Sequence, residues 1–360
     1  MECDPLLTFL LTLLTFGVII TLHECGHFIF AKLFGVRVNE FSFGMGPRLV
    51  GWQGKETEYS IRLLPIGGYV AMEGEDGMED EEGRPIPSDG RAFCEKPAWQ
   101  RFIILFAGAA MNIVLGFFIL LALASQMDLL GTNVVAKVEE GTAVSEYLQP
   151  FDRIVKVNGY STPNYNDVVF QMIRDQDGVM DLEVIRYGDA EGLQQKSGQR
   201  VGLSQVPFTM ENETIQLDFV FYGEENNPLR TVSYAAGWTS SVVKQVWYSL
   251  MDILTGRFGL KDLSGPVGTA AVIGEASSQG LQTLLLMVAF ITINIGVFNL
   301  LPIPALDGGR LFFLLIEIIR RKPIPARYEA YVHGAGLVLL LGLIAVVTFN
   351  DIAKLITGGI

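Results

Sequence analysis

Four apolar runs of membrane-spanning length punctuate the chain: Leu6 to about Phe34, Phe102 to Ala124, about 280–319, and about 332–348. About 20 consecutive apolar residues make a helix long enough to cross a bilayer. The third run is interrupted at 299–306, where Pro302 and Pro304 remove backbone donors and force an extended piece before the helix resumes at Leu311. Between the first two runs, in region 36–72, the pattern shortens to glycine-punctuated segments, Phe41–Gly46, Tyr59–Leu64 and Gly67–Met72. These predict strands, with Gly67-Gly68 as hairpin punctuation. Their aromatic and methionine content is high for a loop. Two readings stay open: a hairpin that dips into the membrane beside protein or water, or an ordinary cytoplasmic hairpin. In the first, a free edge could pair with an extended substrate.

After the second run the pattern turns to mixed polar alternation. Asn133–Val138, Phe151–Gly159 and Leu182–Arg186 read as strands and Tyr165–Arg174 as a helix. Thr214–Tyr222 predicts a further strand. Trp238, Val242, Val246, Leu250 and Ile253 fall at helical spacing, which fits an amphipathic helix on the outer membrane surface or one packed on the small domain. The expected class is a polytopic α-helical membrane protein with four transmembrane helices, a membrane-associated β-hairpin and an inserted α+β domain. Its expected divisions are a membrane core at 1–127, the inserted domain at 128–206, extra strands and the amphipathic helix at 207–279, and the second part of the core at 280–360.

Half of the 360 residues are hydrophobic and the formal net charge is −13. The acidic excess concentrates in loops, notably Glu73 to Glu82, and no basic stripe interrupts it, which excludes nucleic acid as an expected partner. Cys3, Cys25 and Cys94 lie too far apart for a disulfide framework or a cysteine metal site. Met1–Asp4 carries no positive charge and no small-residue cleavage site follows, so the first run reads as a retained span rather than a signal peptide. Lys32, Arg37 and Arg48 follow the first span, and Arg320-Arg321-Lys322 with Arg327 follow the third. The positive-inside rule then puts both termini and the inserted domain outside. Trp99 and Arg101 mark the interface before the second span.

The candidate chemistry sits in the first span. In His23-Glu24-Cys25-Gly26-His27 the two histidines are four apart, so a helix presents both imidazoles on one face. That is zinc-ligand spacing, and Glu24, beside the metal, is the candidate general base. A charged group at membrane depth costs about 2.5 kcal/mol or more on insertion scales, so an unused set would be an expensive accident. Asp307 begins the second half of the broken helix. It is either an N-cap or, being intramembrane, a third metal ligand. Asn112 in the second span can hydrogen-bond across to the first, in packing or in catalysis. His333, at the start of the fourth span, reads as an interface residue.

Taken together, the His23–His27 motif, Pro65-Ile66-Gly67-Gly68-Tyr69, Ser264-Gly265-Pro266-Val267-Gly268 and Asn299 through Asp307-Gly308-Gly309 resemble the site-2 protease family of intramembrane zinc metalloproteases. The likeness covers nearly the whole chain and is closest to the bacterial regulator-of-sigma-E-protease-like branch, here with a single extracytoplasmic PDZ domain. The stretch Asp152–Gly159 resembles such a domain, although PDZ domains usually have Gly where Phe151 stands. The resemblance implies Zn2+ held by His23, His27 and Asp307, Glu24 as catalytic acid/base, and Asn299, Pro302 and Pro304 helping to hold substrate beside the Gly67-Gly68 hairpin. It implies regulated intramembrane proteolysis of single-span proteins, such as anti-sigma factors or signal-peptide remnants, in the bacterial plasma membrane, with the active site toward the cytoplasm. The PDZ-like domain would bind peptide or act as a size filter. Where the family often has Gly-Pro ahead of its asparagine, this chain has Gly108-Ala109-Ala110-Met111, which puts the local helix geometry in question. Two other classes compete: a non-catalytic membrane scaffold bearing a PDZ domain, against which Glu24 argues, and a transporter, against which the absence of a visible internal repeat argues.

Overall fold

The computed structural model describes residues 4–75, 89–175, 177–211, 214–257, 259, 263–322 and 324–357. Most of the acidic run, residues 76–82, lies outside these, as do Met1, Glu2 and Cys3. The chain divides into two compact units, one of Met1–Ile119 with Val246–Ile360 and the other of Leu120–Gln245.

In the first unit, α1 (Pro5–Leu33) starts at a capped turn: Asp4 accepts the Leu6 N–H at 2.9 Å and Pro5 takes the first helical position, where no donor is needed. β1 (Val38–Gln53) and β2 (Glu58–Met72) follow and are joined by a turn at Gly54–Thr57 (N–H to O, 2.9 Å). The hairpin turn is therefore not at Gly67-Gly68, which lies inside β2. Positive φ at Gly44 (87°) and Gly67 (99°) lets both strands bend sharply there. Their register shifts so far that Phe41 faces Val70 on one side and Tyr59 on the other, while Trp52 also faces Tyr59. Segment 40–43 is thus flanked on both sides. A core of Ala31, Val36, Val38, Val70, Met72, Ile104, Leu105, Leu311 and Leu314 joins α1 and the sheet to the helices that follow.

The second helix, α2 (Ala98–Ala124), runs without a break. Alanine where the family often has proline leaves its backbone donors intact. Among the described residues four helices are long and apolar enough to cross a membrane: α1, α2, and two later helices at Leu281–Asn299 and Arg327–Thr357. Large apolar side chains point outward along them, for example Leu14, Phe118, Leu339 and Ile356. Outward apolar faces of this extent suit lipid rather than water.

The second unit is built on a sheet in which β3 (Leu129–Val138), β4 (Asp152–Val157), β6 (Val179–Arg186), β7 (Gln199–Pro207) and β10 (Phe219–Glu225) lie in the order β10-β3-β4-β6-β7, with β5 (Tyr160–Ser161) on β4. α3 (Tyr165–Ile173) covers it, N-capped by Asn164, whose side chain accepts from Asp167 N–H at 3.0 Å. Val135, Ile154, Val157, Val168, Met172, Met180 and Val184 form the core. Alternation along the strands supplies all of these but Val168 and Met172, which α3 contributes. A short helix, α4 (Ala190–Gln195), precedes β7, and β8 (Met210–Glu211) pairs with β9 (Thr214–Ile215). The strand expected at Thr214–Tyr222 is therefore two pieces, β9 and the edge strand β10. Phe151 adopts φ 69°, a conformation that favours glycine, and its N–H donates to Val135 O at 2.8 Å. That conformation costs about 1–2 kcal/mol for a residue with a Cβ.

α5 (Pro228–Leu254) starts ten residues before the first apolar position of the expected amphipathic helix. Within the second unit part of it packs on the sheet domain: Ser241 Oγ donates to Asn164 Oδ1 (2.9 Å) and Lys244 pairs with Asp167 (2.6 Å), while Leu229 and Val232 are exposed. In the first unit, Pro266 opens an unforeseen helix, α6 (Pro266–Gln279). Asp351 Oδ2 accepts the N–H groups of Gly265 (2.9 Å) and Gly268 (2.8 Å), so a buried carboxylate supplies the cap that Gly265 lacks. α7 (Leu281–Asn299), α8 (Asp307–Arg320) and α9 (Ala326–Thr357) complete the chain.

Candidate metal centre

One turn of α1 places His23 and His27 on the same face, both buried, with ring centroids 4.9 Å apart. Their Nε2 atoms stand 3.2 Å apart. Asp307, the first residue of α8, brings Oδ2 to 3.0 Å from His23 Nε2 and 3.3 Å from His27 Nε2. Of the two roles open to Asp307, capping is not the one its side chain adopts: Leu306 is the N-cap and no side chain caps the helix. Among the described residues, these are the one group of three His, Cys, Asp or Glu side chains placed to hold a metal ion.

The outer nitrogens fix how the imidazoles present themselves. His27 Nδ1 lies 2.8 Å from the Ile104 carbonyl oxygen of α2. A carbonyl only accepts, so Nδ1 carries the proton and Nε2 presents a lone pair. His23 Nδ1 is 3.3 Å from the Asn112 side-chain amide, whose Nδ2 is turned toward it while its Oδ1 is buried without a partner. Exchanging the two ends of the amide satisfies both groups: Oδ1 accepts from His23 Nδ1–H, and His23 Nε2 is left as a second lone pair. Thr292 Oγ1 anchors the Asn112 backbone carbonyl from α7 at 3.2 Å.

Two glycines make this approach possible. A Cβ on Gly26 would stand 2.4 Å from the Ala107 carbonyl oxygen, so α1 and α2 touch backbone to backbone there. A Cβ on Gly108 would stand 2.4 Å from His27 Nε2 and 2.8 Å from His23 Nε2. Glu24, half-buried, points toward β2: a Cβ on Gly68 would stand 3.4 Å from Glu24 Cγ.

Residues 11–343 match the profile of peptidase family M50. The chain belongs to peptidase family M50. Its relatives cover it almost end to end. A protein of Fusobacterium nucleatum, named provisionally as a zinc metalloprotease, is 35% identical over 97% of this chain and 99% of its own length. The regulator of sigma-W protease RasP of Bacillus subtilis is 31% identical over 95% of this chain and 97% of its own, and the zinc metalloprotease RasP of Shouchella clausii is 32% identical over 97% and 99%. The M50 chain is a zinc metalloprotease and a membrane protein.

Zinc fits the donor set of the M50 chain. Asp307 Oδ2 is buried and makes no hydrogen bond of normal geometry, although both imidazoles crowd it. Lone pairs converging this closely repel unless a cation lies among them. Ligands at about 2.0–2.2 Å from a tetrahedral zinc are themselves roughly 3.3–3.6 Å apart, and the three separations here, 3.0, 3.2 and 3.3 Å, lie at or just below the short end of that range.

Of the other residues marked in the sequence, Gly68 lies beside Glu24 and Gly67 at the bend before it. Asn299 ends α7, Pro302 is exposed, and Pro304 is half-buried in the loop before Asp307. Among the described residues no hydrogen bond joins Asn299 to the three donors. Sequence reasoning missed the Ile104 carbonyl, which leaves no side-chain signature. Gly108 is marked in the sequence only within the small-residue stretch of the second span, where it permits close helix packing, and not as the position that lies against both imidazoles.

Proposed function

We propose that this zinc metalloprotease cleaves the transmembrane segments of single-span membrane proteins, of the anti-sigma factor or signal-peptide-remnant type, in regulated intramembrane proteolysis. The observation that carries the proposal is a cluster of two buried histidines on an apolar helix and the half-buried Asp307, with a carboxylate, Glu24, beside it rather than in it. A structural site fills all its positions with protein, whereas three protein donors leave one open. On this reading His23, His27 and Asp307 hold the metal. Bound zinc supplies Lewis-acid chemistry, acidifying water and polarising a carbonyl.

Glu24 takes the proton from the attacking water and delivers it to the departing amide nitrogen. A helical substrate hides its carbonyls in its own hydrogen bonds, so it must be unwound locally before attack. The bend at Gly67-Gly68 supports a role for β2 in holding the extended segment by strand addition, since this stretch passes directly beside Glu24. Asn299, Pro302 and Pro304, in the break between α7 and α8, line the other side of that segment in this proposal. Ile104 O and Asn112 keep both imidazoles oriented.

The basic residues after α1 and α8 favour a cytoplasmic-side active site, with both termini and the second unit outside in a bacterial plasma membrane. The second unit then serves as a PDZ-like domain that binds peptide at its sheet edge or excludes substrates with a bulky outer portion. Its deletion should loosen specificity and leave the chemistry intact. The deciding test is cleavage of a model single-span substrate by purified protein in detergent, wild type against Glu24→Gln, with bound zinc measured in both. Zinc in both and cleavage only in the wild type is the expected result. Equal cleavage by both proteins refutes the role of Glu24, and no cleavage of any substrate by zinc-loaded wild type refutes the proteolytic reading.

A further inference from the structure

His333 stands on α9, 26 positions after Asp307, and reads from sequence as an interface residue. The structure gives it a different task. Its Nδ1 accepts the backbone N–H of Ala305 at 3.0 Å. Ala305 sits two residues before Asp307 and adopts φ 75°, a conformation that a residue with a Cβ rarely takes. The proline-rich loop therefore reaches Asp307 through a backbone kink that needs to be held, and the hydrogen bond from its N–H is the hold.

Three further contacts argue that α9 is shaped for this. Gly336 lies on the same face one turn on from His333, and a Cβ there would stand 2.3 Å from Pro304 Cβ and 2.9 Å from the Pro304 carbonyl, so its absence lets α9 close on the loop. The Phe313 ring of α8 lies against the imidazole, centroids 5.7 Å apart. Glu329 Oε1 is 3.9 Å from Nε2, the side from which the Nε2–H tautomer is favoured. That tautomer is the one that leaves Nδ1 free to accept.

We propose that His333 is a positioning residue that fixes Asp307 for the metal by holding the Ala305 kink. The inference rests on the reading of Asp307 as a ligand. It assigns to α9, which contributes none of the three donors, control over where the third donor stands. Loss of an outer partner of a metal ligand typically costs 10–100-fold in affinity.

The test is zinc affinity of the full-length protein in detergent, measured by competition with a chelator, together with the visible spectrum of the cobalt-substituted form. The variants are Asp307→Asn, His333→Leu, His333→Asn, and His333→Leu combined with Ala305→Gly. We expect His333→Leu to weaken zinc about tenfold or more and to alter the cobalt spectrum. His333→Asn, whose Oδ1 can accept in the place of Nδ1, should restore both. So should Ala305→Gly in the His333→Leu background, because glycine takes positive φ without the steric penalty. If Asp307→Asn leaves zinc affinity unchanged, the ligand reading fails. If Asp307→Asn weakens zinc but His333→Leu stays within twofold of wild type, the His333 inference alone fails. Equal loss in all three His333 variants, whether or not they fold, also overturns it, since rescue is what separates positioning from packing.

Discussion

Replacing Gly108 by alanine puts one methyl group against both imidazoles. The added Cβ would stand 2.4 Å from His27 Nε2 and 2.8 Å from His23 Nε2, against an ordinary contact of 3.4–4 Å. Restoring the shorter limit at His27 requires about 1 Å of movement, from 3.4 less 2.4. α2 cannot easily retreat, because the Gly26 and Ala107 backbones already touch and Ile104 O is bonded to His27. The imidazoles must move instead, away from the point they share with Asp307. A misplacement of that size costs about 10²-fold in rate, and overpacking adds about 1–3 kcal/mol of instability. Cleavage of a single-span substrate, zinc affinity and detergent melting temperature should be measured for Gly108→Ala beside Gly342→Ala. The control glycine lies in the interior of α9 with nothing within 4 Å of its Cβ position. It should be neutral or stabilising by up to about 1 kcal/mol. Full activity and unchanged zinc affinity in Gly108→Ala would show that Gly108 does not lie against the two imidazoles, and the reasoning would be wrong.

Three further expectations follow from other parts of the molecule. Asn112→Leu keeps the volume but removes the partner of His23 Nδ1, and should weaken zinc about 10–100-fold, while Asn112→Asp, which can only accept, should retain it; equal affinities in chelator competition would reduce Asn112 to packing. Asp351→Leu leaves the N–H groups of Gly265 and Gly268 without an acceptor and should cost about 1–2 kcal/mol in a detergent melt, whereas Asp351→Asn should lose only part of that. Glu56, bonded first by Arg91 and then by Lys32, has its carboxyl pushed down to about 2. Because its folded pKa lies below the ordinary value of 4.5, its contribution is present above about pH 4.5 and disappears as pH falls toward 2. The pair is partly solvated, so about 1 kcal/mol or less is at stake; Glu56→Gln should flatten the acid-side fall in melting temperature, and an unchanged profile would rule the ion pair out as its source.

Much of the centre is legible in the sequence because its constraints are local or absolute. Helical periodicity brings His23 and His27 together, and the expense of a carboxylate at membrane depth singles out Asp307. The residues that orient these donors are not legible in the same way. Ile104 contributes a carbonyl that every residue has, Gly108 contributes the absence of a side chain, and His333 acts on Ala305 through a backbone N–H. The hairpin misled at Gly67-Gly68 because paired glycines mark tight turns in most strands, while here they serve a bend inside a strand whose register folds back on itself. α6 was hidden because Gly265-Pro266 reads equally as a break or as a helix start, and the choice is made by Asp351, some 85 residues away. Phe151 marks the reverse case, where a residue unsuited to a turn occupies it because Val135 fixes its N–H.

The three donors are separated by 284 residues, from His23 to Asp307, with the whole of Leu120–Gln245 between them. A chain emerging during synthesis therefore holds the two imidazoles and Glu24 in its first helix long before it has the carboxylate that completes the set. If His23, His27 and Asp307 hold the metal as proposed, the site is complete only once α8 has docked against α1. On the proposed ligand set, metal acquisition reports on assembly, because the donors are complete only when both ends of the chain have met.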